Sequence, residues 1–322
     1  MRTDTATRRF QMTTYREALE KAKDRPTWII DGVISAHTTL LVGEAKVGKS
    51  FLASALIASL STGEDFIGKP VPQDRDFSVA VCWTDDAGDV EYGERIATVM
   101  PGEAEPNVGF YAVHSMERRE DWQDLFREVM ADGRNFVIID NLSQCIDGSY
   151  NDDHSVRKFY DGVRLFTRVG IPVVIIAHST DKAGPNGQKS EKPMGSAYIT
   201  QAARWRCFVR RSRKGNMTLK FMGNYTDAHE ITVHHGAGAR FTVLAANDVD
   251  ENGKPKKAVS EERLEWATFL DGKQFTSYSA AAQAIKDQFP DAPAVSTLKN
   301  RFSDGAIPGR LVEGTYDRYA RA

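Results

Sequence analysis

The sequence predicts an α/β fold with a mainly parallel sheet, an antiparallel sheet edge and a small C-terminal domain. Apolar strand-like runs alternate with helix-like runs from Trp28 to about Leu244, which is typical of a parallel sheet. From Arg206 onward the strand-like runs follow one another without helices, which indicates the antiparallel edge. A polar, turn-rich segment at 246–260 then separates this region from a second, mostly helical pattern.

Each predicted element rests on a run of apolar residues with the matching period. The predicted strands are Thr38–Val42, Val79–Thr84, Gly109–His114, Phe136–Asp140, Val173–Ala177, Arg206–Arg210 and Thr218–Met222. The predicted helices of the same region are Phe51–Leu60, Tyr92–Met100, Trp122–Met130 and Val156–Val169. Ahead of them, Tyr15–Lys23 fits a short helix that ends before Pro26.

We divide the chain into a polar N-terminal segment (1–25), an α/β core (26–245), a linker (246–260) and a C-terminal module (261–322). The module reads as three helices, with Ser296 as the expected N-cap of the third, and two short strands joined at Gly314. These elements are Glu262–Leu270, Ser277–Phe289, Ser296–Phe302, Leu311-Val312 and Thr315–Tyr319. Three helices and a hairpin match a winged helix-turn-helix.

The amino-acid composition is typical of a globular protein and limits the kinds of partner and compartment to expect. The 322 residues are 41% hydrophobic and 27% charged, which is ordinary for a globular protein. A net charge of −2 provides no global attraction to nucleic acid, so such a contact needs a local basic patch. The three cysteines are far apart, and we expect buried free thiols rather than disulfides or a metal site. The chain lacks a membrane-length apolar run and a signal-peptide core, which favours a cytoplasmic protein.

The most specific motif is GxxxxGKS, which follows the first predicted strand and begins a predicted helix. Its glycines let backbone N–H groups surround a phosphate at the helix N-terminus. Lys49 can reach the β- and γ-phosphates, and the Ser50 hydroxyl can hold Mg²⁺. We therefore predict nucleoside triphosphate binding by Gly43, Glu44, Ala45, Lys46, Val47, Gly48, Lys49, Ser50 and Phe51.

Hydrolysis also needs acidic groups at the ends of neighbouring strands. The apolar run Phe136–Asp140 has the form of a Walker B strand, which places Asp140 near the metal. Asp85 and Asp86 follow another buried strand, and one of them can orient the attacking water. The alternatives are a chance apolar run that ends in Asp and a solvated strand end.

Further candidates follow the strand Val173–Ala177. His178 can sense the γ-phosphate, or it is simply structural. The long polar loop Asp181–Pro193 carries Lys182, Lys189 and Lys192, which can grip a phosphate backbone; the alternative is a plain solvated loop. A basic stretch beyond it supplies arginine-finger candidates for a neighbouring subunit, although most basic runs are solvated faces. These candidates are Arg204, Arg206, Arg211 and Arg213.

Together these motifs resemble the RepA-like branch of the RecA-type ATPases, an AAA_25-like family. The residues that carry the resemblance are Trp28–Gly32, Leu40–Ser50, Phe66–Pro72, Asp85-Asp86, Phe136–Asp140, His178, Lys182 and Gly195–Ala197. The resemblance covers roughly residues 26–235 and implies a RecA-type P-loop NTPase core. It implies ATP and Mg²⁺ as cofactors, hexameric rings with ATP between subunits, and single-stranded DNA in the ring centre. The family usually has Glu-Asp at Asp85-Asp86, so Asp85 replaces the expected catalytic Glu.

The C-terminal module lies outside this resemblance. Its third helix offers Lys299, Asn300 and Arg301 for contacts with double-stranded DNA. Acidic residues nearly balance the basic ones in the module, so docking of a protein partner stays open.

The leading interpretation is an Mg²⁺-dependent ATPase that acts on DNA as an oligomeric helicase or translocase. Its setting would be plasmid, phage or mobile-element replication, with a possible partner protein from that system. The alternative is an ATP-gated recruitment or regulatory protein that binds DNA and hydrolyses ATP weakly, which the substitution at Asp85 motivates. A metabolic P-loop kinase is the least favoured reading, because no lid or acceptor-site signature is present.

Overall fold

The computed structural model describes residues 12–24, 26–102, 104–113, 116–179, 193–212, 216–244, 261–303, 306–307 and 309–317. The helices in these ranges are α1 Tyr15–Asp24, α2 Lys49–Thr62, α3 Gly88–Ala97, α4 Arg119–Ala131, α5 Leu142–Cys145, α6 Asp153–Arg168, α7 Tyr198–Ala202, α8 Glu261–Leu270, α9 Tyr278–Gln288 and α10 Val295–Ser303. The strands are β1 Trp28–Ile30, β2 Ile34–Ser35, β3 Thr38–Gly43, β4 Val79–Trp83, β5 Val108–Ala112, β6 Phe136–Asp140, β7 Val173–His178, β8 Trp205–Arg211, β9 Asn216–Gly223, β10 His229–His235, β11 Phe241–Val243, β12 Arg310–Val312 and β13 Thr315–Asp317.

Nine of these strands form one sheet in the order β11-β10-β9-β8-β3-β7-β6-β4-β5. The six strands from β8 to β5 in that order are parallel to their neighbours. Strands β10 and β11 are antiparallel. The α/β fold with a mainly parallel sheet and an antiparallel edge is therefore confirmed.

The strands change direction one strand later than the sequence indicated. Strand β8 opens the helix-free stretch, yet it pairs with β3 in parallel. The reversal comes between β8 and β9, where Ser212 N–H donates to the Asn216 carbonyl (2.8 Å) and Asn224 N–H to the Arg204 carbonyl (3.2 Å). Strands β10 and β11 had no predicted counterpart. They are largely half-buried or exposed, so they lack the apolar runs that revealed the central strands.

Helices cover both faces of the parallel strands. Alternate residues of β3, including Leu40 and Val42, share an apolar core with α4 and α6, where Trp122 meets Phe159 edge-on. The residues between them, such as Leu41, face the same apolar cavity as Leu52 and Leu56 of α2. Successive side chains of a strand point to opposite faces, so the central strands need apolar residues throughout.

Helices α6 and α10 illustrate how local hydrogen bonds set the boundaries of a helix. Helix α6 starts earlier than predicted because the Asp152 carboxylate accepts the Ser155 N–H (2.9 Å) and caps the first turn. The predicted cap at Ser296 is wrong. The Ala294 carbonyl accepts the Leu298 N–H (3.0 Å), so α10 begins at Val295 and Ser296 lies within it.

The chain divides into two compact units, which are Met1–Val209 with Lys220–His229, and Arg210–Leu219 with Glu230–Ala322. In the second unit, helices α8–α10 and the antiparallel pair β12–β13 share an apolar core that includes Trp266, Leu298 and Tyr316. The winged-helix assignment stays a prediction, as do the domain boundaries at 26, 246 and 261.

The three cysteines, Cys82, Cys145 and Cys207, are free and buried, as the sequence indicated. In the described ranges, every helix is too short or too polar to cross a membrane.

Candidate nucleotide-binding site

The P-loop connects the carboxyl end of β3 to the first turn of α2. Its backbone takes left-handed conformations at Lys46 (φ 61°) and at Gly48 (φ 108°), the N-cap of α2. No side chain caps this helix N-terminus. The N–H groups of the first turn therefore remain available for an anion, and the helix dipole favours one there.

Packing explains the first glycine of the motif. A Cβ atom at Gly43 would lie 2.9 Å from the Val209 carbonyl oxygen and 2.9 Å from Val47 Cγ1. Strand β8 and the buried side chain of Val47 thus close on the Gly43 backbone from two sides. A larger residue would displace the loop from the end of β3.

Lys49 is 5% exposed and lies where the loop folds back on β3. Its Nζ donates to the carbonyl oxygens of Gly43 (2.9 Å) and Glu44 (2.7 Å) and lies 3.4 Å from His178 Nδ1. Burial lowers the pKa of Lys49 to about 8, although the carboxylates of Asp140 and Glu44 oppose the shift. The amine is therefore held inside the loop, within reach of an anion bound there.

Asp140 ends β6 and receives two hydrogen bonds on one oxygen atom. Ser50 Oγ and the Tyr92 hydroxyl both donate to Asp140 Oδ2, at 2.7 and 2.8 Å. Burial and the nearby Asp140 carboxylate raise the pKa of Tyr92 well above its ordinary value, so the phenol stays a donor.

The Ser50 hydroxyl and the Asp140 carboxylate fit a magnesium ion. Mg²⁺ prefers oxygen ligands, and it is usually held by one or two protein groups together with substrate phosphates. The described residues contain no group of three or more His, Cys, Asp or Glu side chains that could hold a metal by itself. This pair of oxygen donors therefore suits a magnesium ion that arrives with a nucleotide.

Asp85 lies in the turn between β4 and α3. Its Oδ1 accepts a hydrogen bond from Gln144 Nε2 (3.1 Å). Burial and the neighbouring Asp140 carboxylate raise the pKa of Asp85, and His178 partly offsets this shift. These interactions place Asp85 near Asp140 and His178. Asp85 and Asp86 are both exposed on this turn, so exposure does not distinguish them.

His178 ends β7 directly opposite Gly43 in the parallel register. Its carbonyl accepts the Met194 N–H (2.8 Å), and Ser179 forms an isolated antiparallel β-bridge with Pro193. Ser179 and Pro193, the described residues on either side of the lysine-bearing part of this loop, are therefore adjacent, close to Lys49. Lys182, Lys189 and Lys192 themselves lie outside the described residues.

The segment after this loop is fixed to the start of α6. Ser196 N–H donates to the Tyr150 carbonyl (2.8 Å), and Ser196 Oγ donates to the Asp153 carboxylate. Gly195 (φ 109°) allows the close approach, because a Cβ atom there would lie 2.4 Å from the Tyr150 oxygen.

The structure separates the basic candidates by position. Arg204 is exposed just before β8, Arg206 is half-buried near the start of that strand, and Arg211 is exposed at its carboxyl end. Within the part of the chain described, Arg206 Nε is buried without a hydrogen-bond partner. Arg213 falls outside the described ranges.

The α10 candidates also differ in their surroundings. Lys299 and Asn300 are exposed, whereas Arg301 is half-buried with its guanidinium carbon 5.8 Å from the Trp266 ring centroid. Arg301 thus packs against the core of the C-terminal module.

Sequence reasoning missed Tyr92 and Gln144 as members of the site. Tyr92 stood only as the start of a predicted helix, and Gln144 belonged to no predicted element. The sole available signal was their closeness along the chain to Asp85 and Asp140. Such proximity does not show which side chains meet.

A family model described as AAA domain (AAA_25) matches residues 5–184, more than half of the 322-residue chain. The matched range includes the P-loop, both acidic strand ends and His178. No curated protein matches the chain. The chain therefore belongs to the AAA_25 family of P-loop ATPases, as its RepA-like motifs predicted.

Proposed function

We propose that the protein is an Mg²⁺-dependent ATP hydrolase that acts on DNA as an oligomeric helicase or translocase. One observation supports this proposal above all: five side chains suited to ATP hydrolysis lie near the N-terminus of α2. They are Lys49, Ser50, Asp140, Asp85 and His178. A phosphate site, a metal-orienting carboxylate, a second acid and a polar strand end are the parts that hydrolysis requires.

The P-loop performs the binding step. Backbone N–H groups of the first α2 turn receive phosphate oxygens, and Lys49 moves from the carbonyls of Gly43 and Glu44 to the phosphate chain. Ser50 and Asp140 would hold a magnesium ion, which would neutralise charge on the phosphates of the nucleotide.

Asp85 is the candidate that orients the attacking water. Its raised pKa brings the carboxylate closer to the pH range in which a general base works. The Gln144 amide holds Asp85 Oδ1, which fixes the direction of the carboxylate. His178 contacts Lys49 and leads into the lysine loop, so it is suited to report the γ-phosphate to that loop.

DNA is the proposed partner of the lysine loop. Lys182, Lys189 and Lys192 give it charge for a phosphate backbone, and its ends lie beside the nucleotide site. A neighbouring subunit in a hexameric ring would supply one of the arginines as a finger. Plasmid, phage or mobile-element replication is the setting that fits such a motor.

One feature favours a second candidate function, an ATP-gated recruitment protein with weak hydrolysis. Asp85 is one methylene shorter than the glutamate usual in this family, and a misplacement of about 1 Å can cost roughly 100-fold in rate. The exposed Lys299 and Asn300 of α10 would then hold DNA or a partner.

Steady-state ATP hydrolysis with Mg²⁺, with and without single-stranded DNA, tests the proposal. We expect DNA to stimulate turnover, Lys49→Ala to abolish it, and Lys158→Ala to leave it unchanged, because Lys158 forms only a surface ion pair with Asp147. Unchanged hydrolysis in Lys49→Ala would refute the proposal. Tight ATP binding with negligible turnover, and no unwinding of a forked duplex, would favour the recruitment protein.

A further inference from the structure

We propose that Tyr92 is a positioning residue for the metal-binding step, acting through Asp140. This inference rests on the proposed Mg²⁺-dependent ATPase function and assigns a role to a side chain outside the family motifs described above. Its basis is the hydrogen bond from the buried Tyr92 hydroxyl to the carboxylate that faces Ser50.

Two donors from two helices converge on Asp140 Oδ2. Ser50 approaches from the first turn of α2, and Tyr92 approaches from α3. A carboxylate with one hydrogen-bond partner can still rotate about its Cβ–Cγ bond, because that torsion is soft. A second partner on the same oxygen fixes the plane of the carboxylate. Both bonds use Oδ2 rather than Oδ1.

The Tyr92 ring is itself held in place. Tyr92 is 2% exposed, and Arg95 places its guanidinium carbon 6.0 Å from the Tyr92 ring centroid and 4.7 Å from that of Phe51. Phe51 directly follows Ser50 in α2. Arg95 of α3 therefore contacts α2 right beside Ser50, the other donor to Asp140. The phenol therefore has a fixed position from which to orient the carboxylate.

Tyr92 belongs to the helix that follows Asp85 in the chain. This helix is α3, whereas Asp140 ends β6. The hydrogen bond therefore links the helix after the water-orienting candidate to the metal-orienting carboxylate. A buried tyrosine hydroxyl needs some partner, so a purely structural role is the rival explanation.

Tyr92→Phe removes one hydroxyl and keeps the ring. Tyr111→Phe is a matched control, since its hydroxyl also donates to a carboxylate, Asp132 Oδ2 (2.6 Å), away from Asp140. A fluorescent ATP analogue is titrated in EDTA and then at increasing Mg²⁺, and kcat and KM for ATP are measured. For Tyr92→Phe we expect that the affinity for the nucleotide in EDTA stays within about 2-fold of wild type. The Mg²⁺ concentration that gives half of the maximal change in nucleotide binding should rise roughly 10-fold, and kcat should fall roughly 10-fold. KM should stay within about 2-fold, and Tyr111→Phe should match wild type.

A double-mutant cycle with Asp140→Asn keeps the test independent of folding. If Tyr92 acts through the carboxylate, Tyr92→Phe has little further effect on the Mg²⁺ requirement in the Asp140→Asn background. An unchanged Mg²⁺ requirement in Tyr92→Phe overturns the inference while the ATPase proposal stands. So does an equal loss of binding with and without Mg²⁺, which a structural role would give. If Mg²⁺ affects neither binding nor turnover of the wild-type protein, the proposed function itself fails, and the inference with it.

Discussion

Burial and charge act in opposite directions on the amine of Lys49. Burial lowers its pKa to about 8, while Asp140 and Glu44 favour the protonated form. A bound triphosphate would add negative charge at this position and raise the pKa again. Proton uptake at Lys49 should therefore accompany nucleotide binding above pH 8.

We predict that ATP affinity is constant from pH 7 to about pH 8 and falls as the pH rises from 8 to 9.5. Below pH 8 the amine is protonated in both the free and the bound protein, so affinity is flat there. Above pH 8 the free protein loses the proton that the complex retains, and each further pH unit weakens binding by up to about 10-fold. Calorimetry in buffers of different ionisation enthalpy measures the proton uptake directly. Lys158→Ala should keep the wild-type profile, and a flat profile to pH 9.5 would contradict the prediction.

Asp85 and Asp86 are both exposed on the turn after β4. Asp85 accepts the hydrogen bond from Gln144 and interacts electrostatically with Asp140 and His178, which ties its carboxylate to the site. We expect Asp85→Asn to lower kcat by about 100-fold or more, as for loss of a general base, and Asp86→Asn to lower it less than 5-fold. Asp85→Glu should keep or raise kcat, since it restores the length usual in the family. Equal losses in the two Asn variants would assign the role to the pair rather than to Asp85.

At the scale of elements, two helical glycines show how packing determines whether a Gly→Ala substitution stabilises or destabilises the protein. A Cβ atom at Gly93 in α3 would meet no atom within 4 Å, whereas one at Gly162 in α6 would lie 2.0 Å from Trp122 Cδ2 in α4. Helix propensity favours alanine at both positions. Only the contact between α4 and α6 distinguishes them.

The same Gly→Ala change should therefore have opposite effects on the two helices. We predict that Gly93→Ala raises the free energy of unfolding by about 0.5–1 kcal/mol. Gly162→Ala should lower it by about 1–3 kcal/mol, because the indole must move in a packed core. Urea unfolding of the two variants and the wild type provides the comparison. A stabilised Gly162→Ala would show that Trp122 moves freely, against the packing described.

At the scale of the whole molecule, a net charge of −2 means that the proposed binding of DNA must depend on local groups. Two such groups are available: the lysines of the loop after His178, and Lys299 with Asn300 on α10. Arg301 is a poorer candidate, because it packs over Trp266. The two groups should contribute to different DNA-binding activities.

Replacing Lys182, Lys189 and Lys192 with Ala should abolish stimulation of the ATPase by single-stranded DNA and leave basal turnover unchanged. The salt dependence of single-strand binding should lose about 2 units of slope, near 0.7 for each phosphate contact. Lys299→Ala with Asn300→Ala should weaken duplex binding and spare the stimulation. Fluorescence anisotropy at several salt concentrations measures DNA binding, and ATPase assays measure the stimulation. Together they separate the contribution of the loop lysines from that of the α10 residues. Loss of stimulation in the α10 variant alone would reverse the assignment.

Features that depend on neighbours along the chain are predictable from the amino-acid sequence. The P-loop is a continuous motif, and its strand–loop–helix context is local. The central strands and their helices were recognisable because burial on both faces requires uninterrupted apolar runs. For the same reason Phe136–Asp140 was placed with both boundaries correct, whereas the half-exposed β10 and β11 were not found.

Contacts between side chains that are distant in the sequence became visible in the folded protein alone. The parallel register places His178 opposite Gly43, and the packing of α3 brings the Tyr92 hydroxyl to Asp140. The hydrogen bond from Gln144 of α5 distinguishes Asp85 from Asp86, which the sequence alone could not separate. Such contacts join residues tens of positions apart, and they depend on strand order and helix orientation that no local pattern specifies. The phosphate-binding motif can therefore be recognised in the sequence, whereas the relative positions of the acidic side chains depend on the tertiary fold.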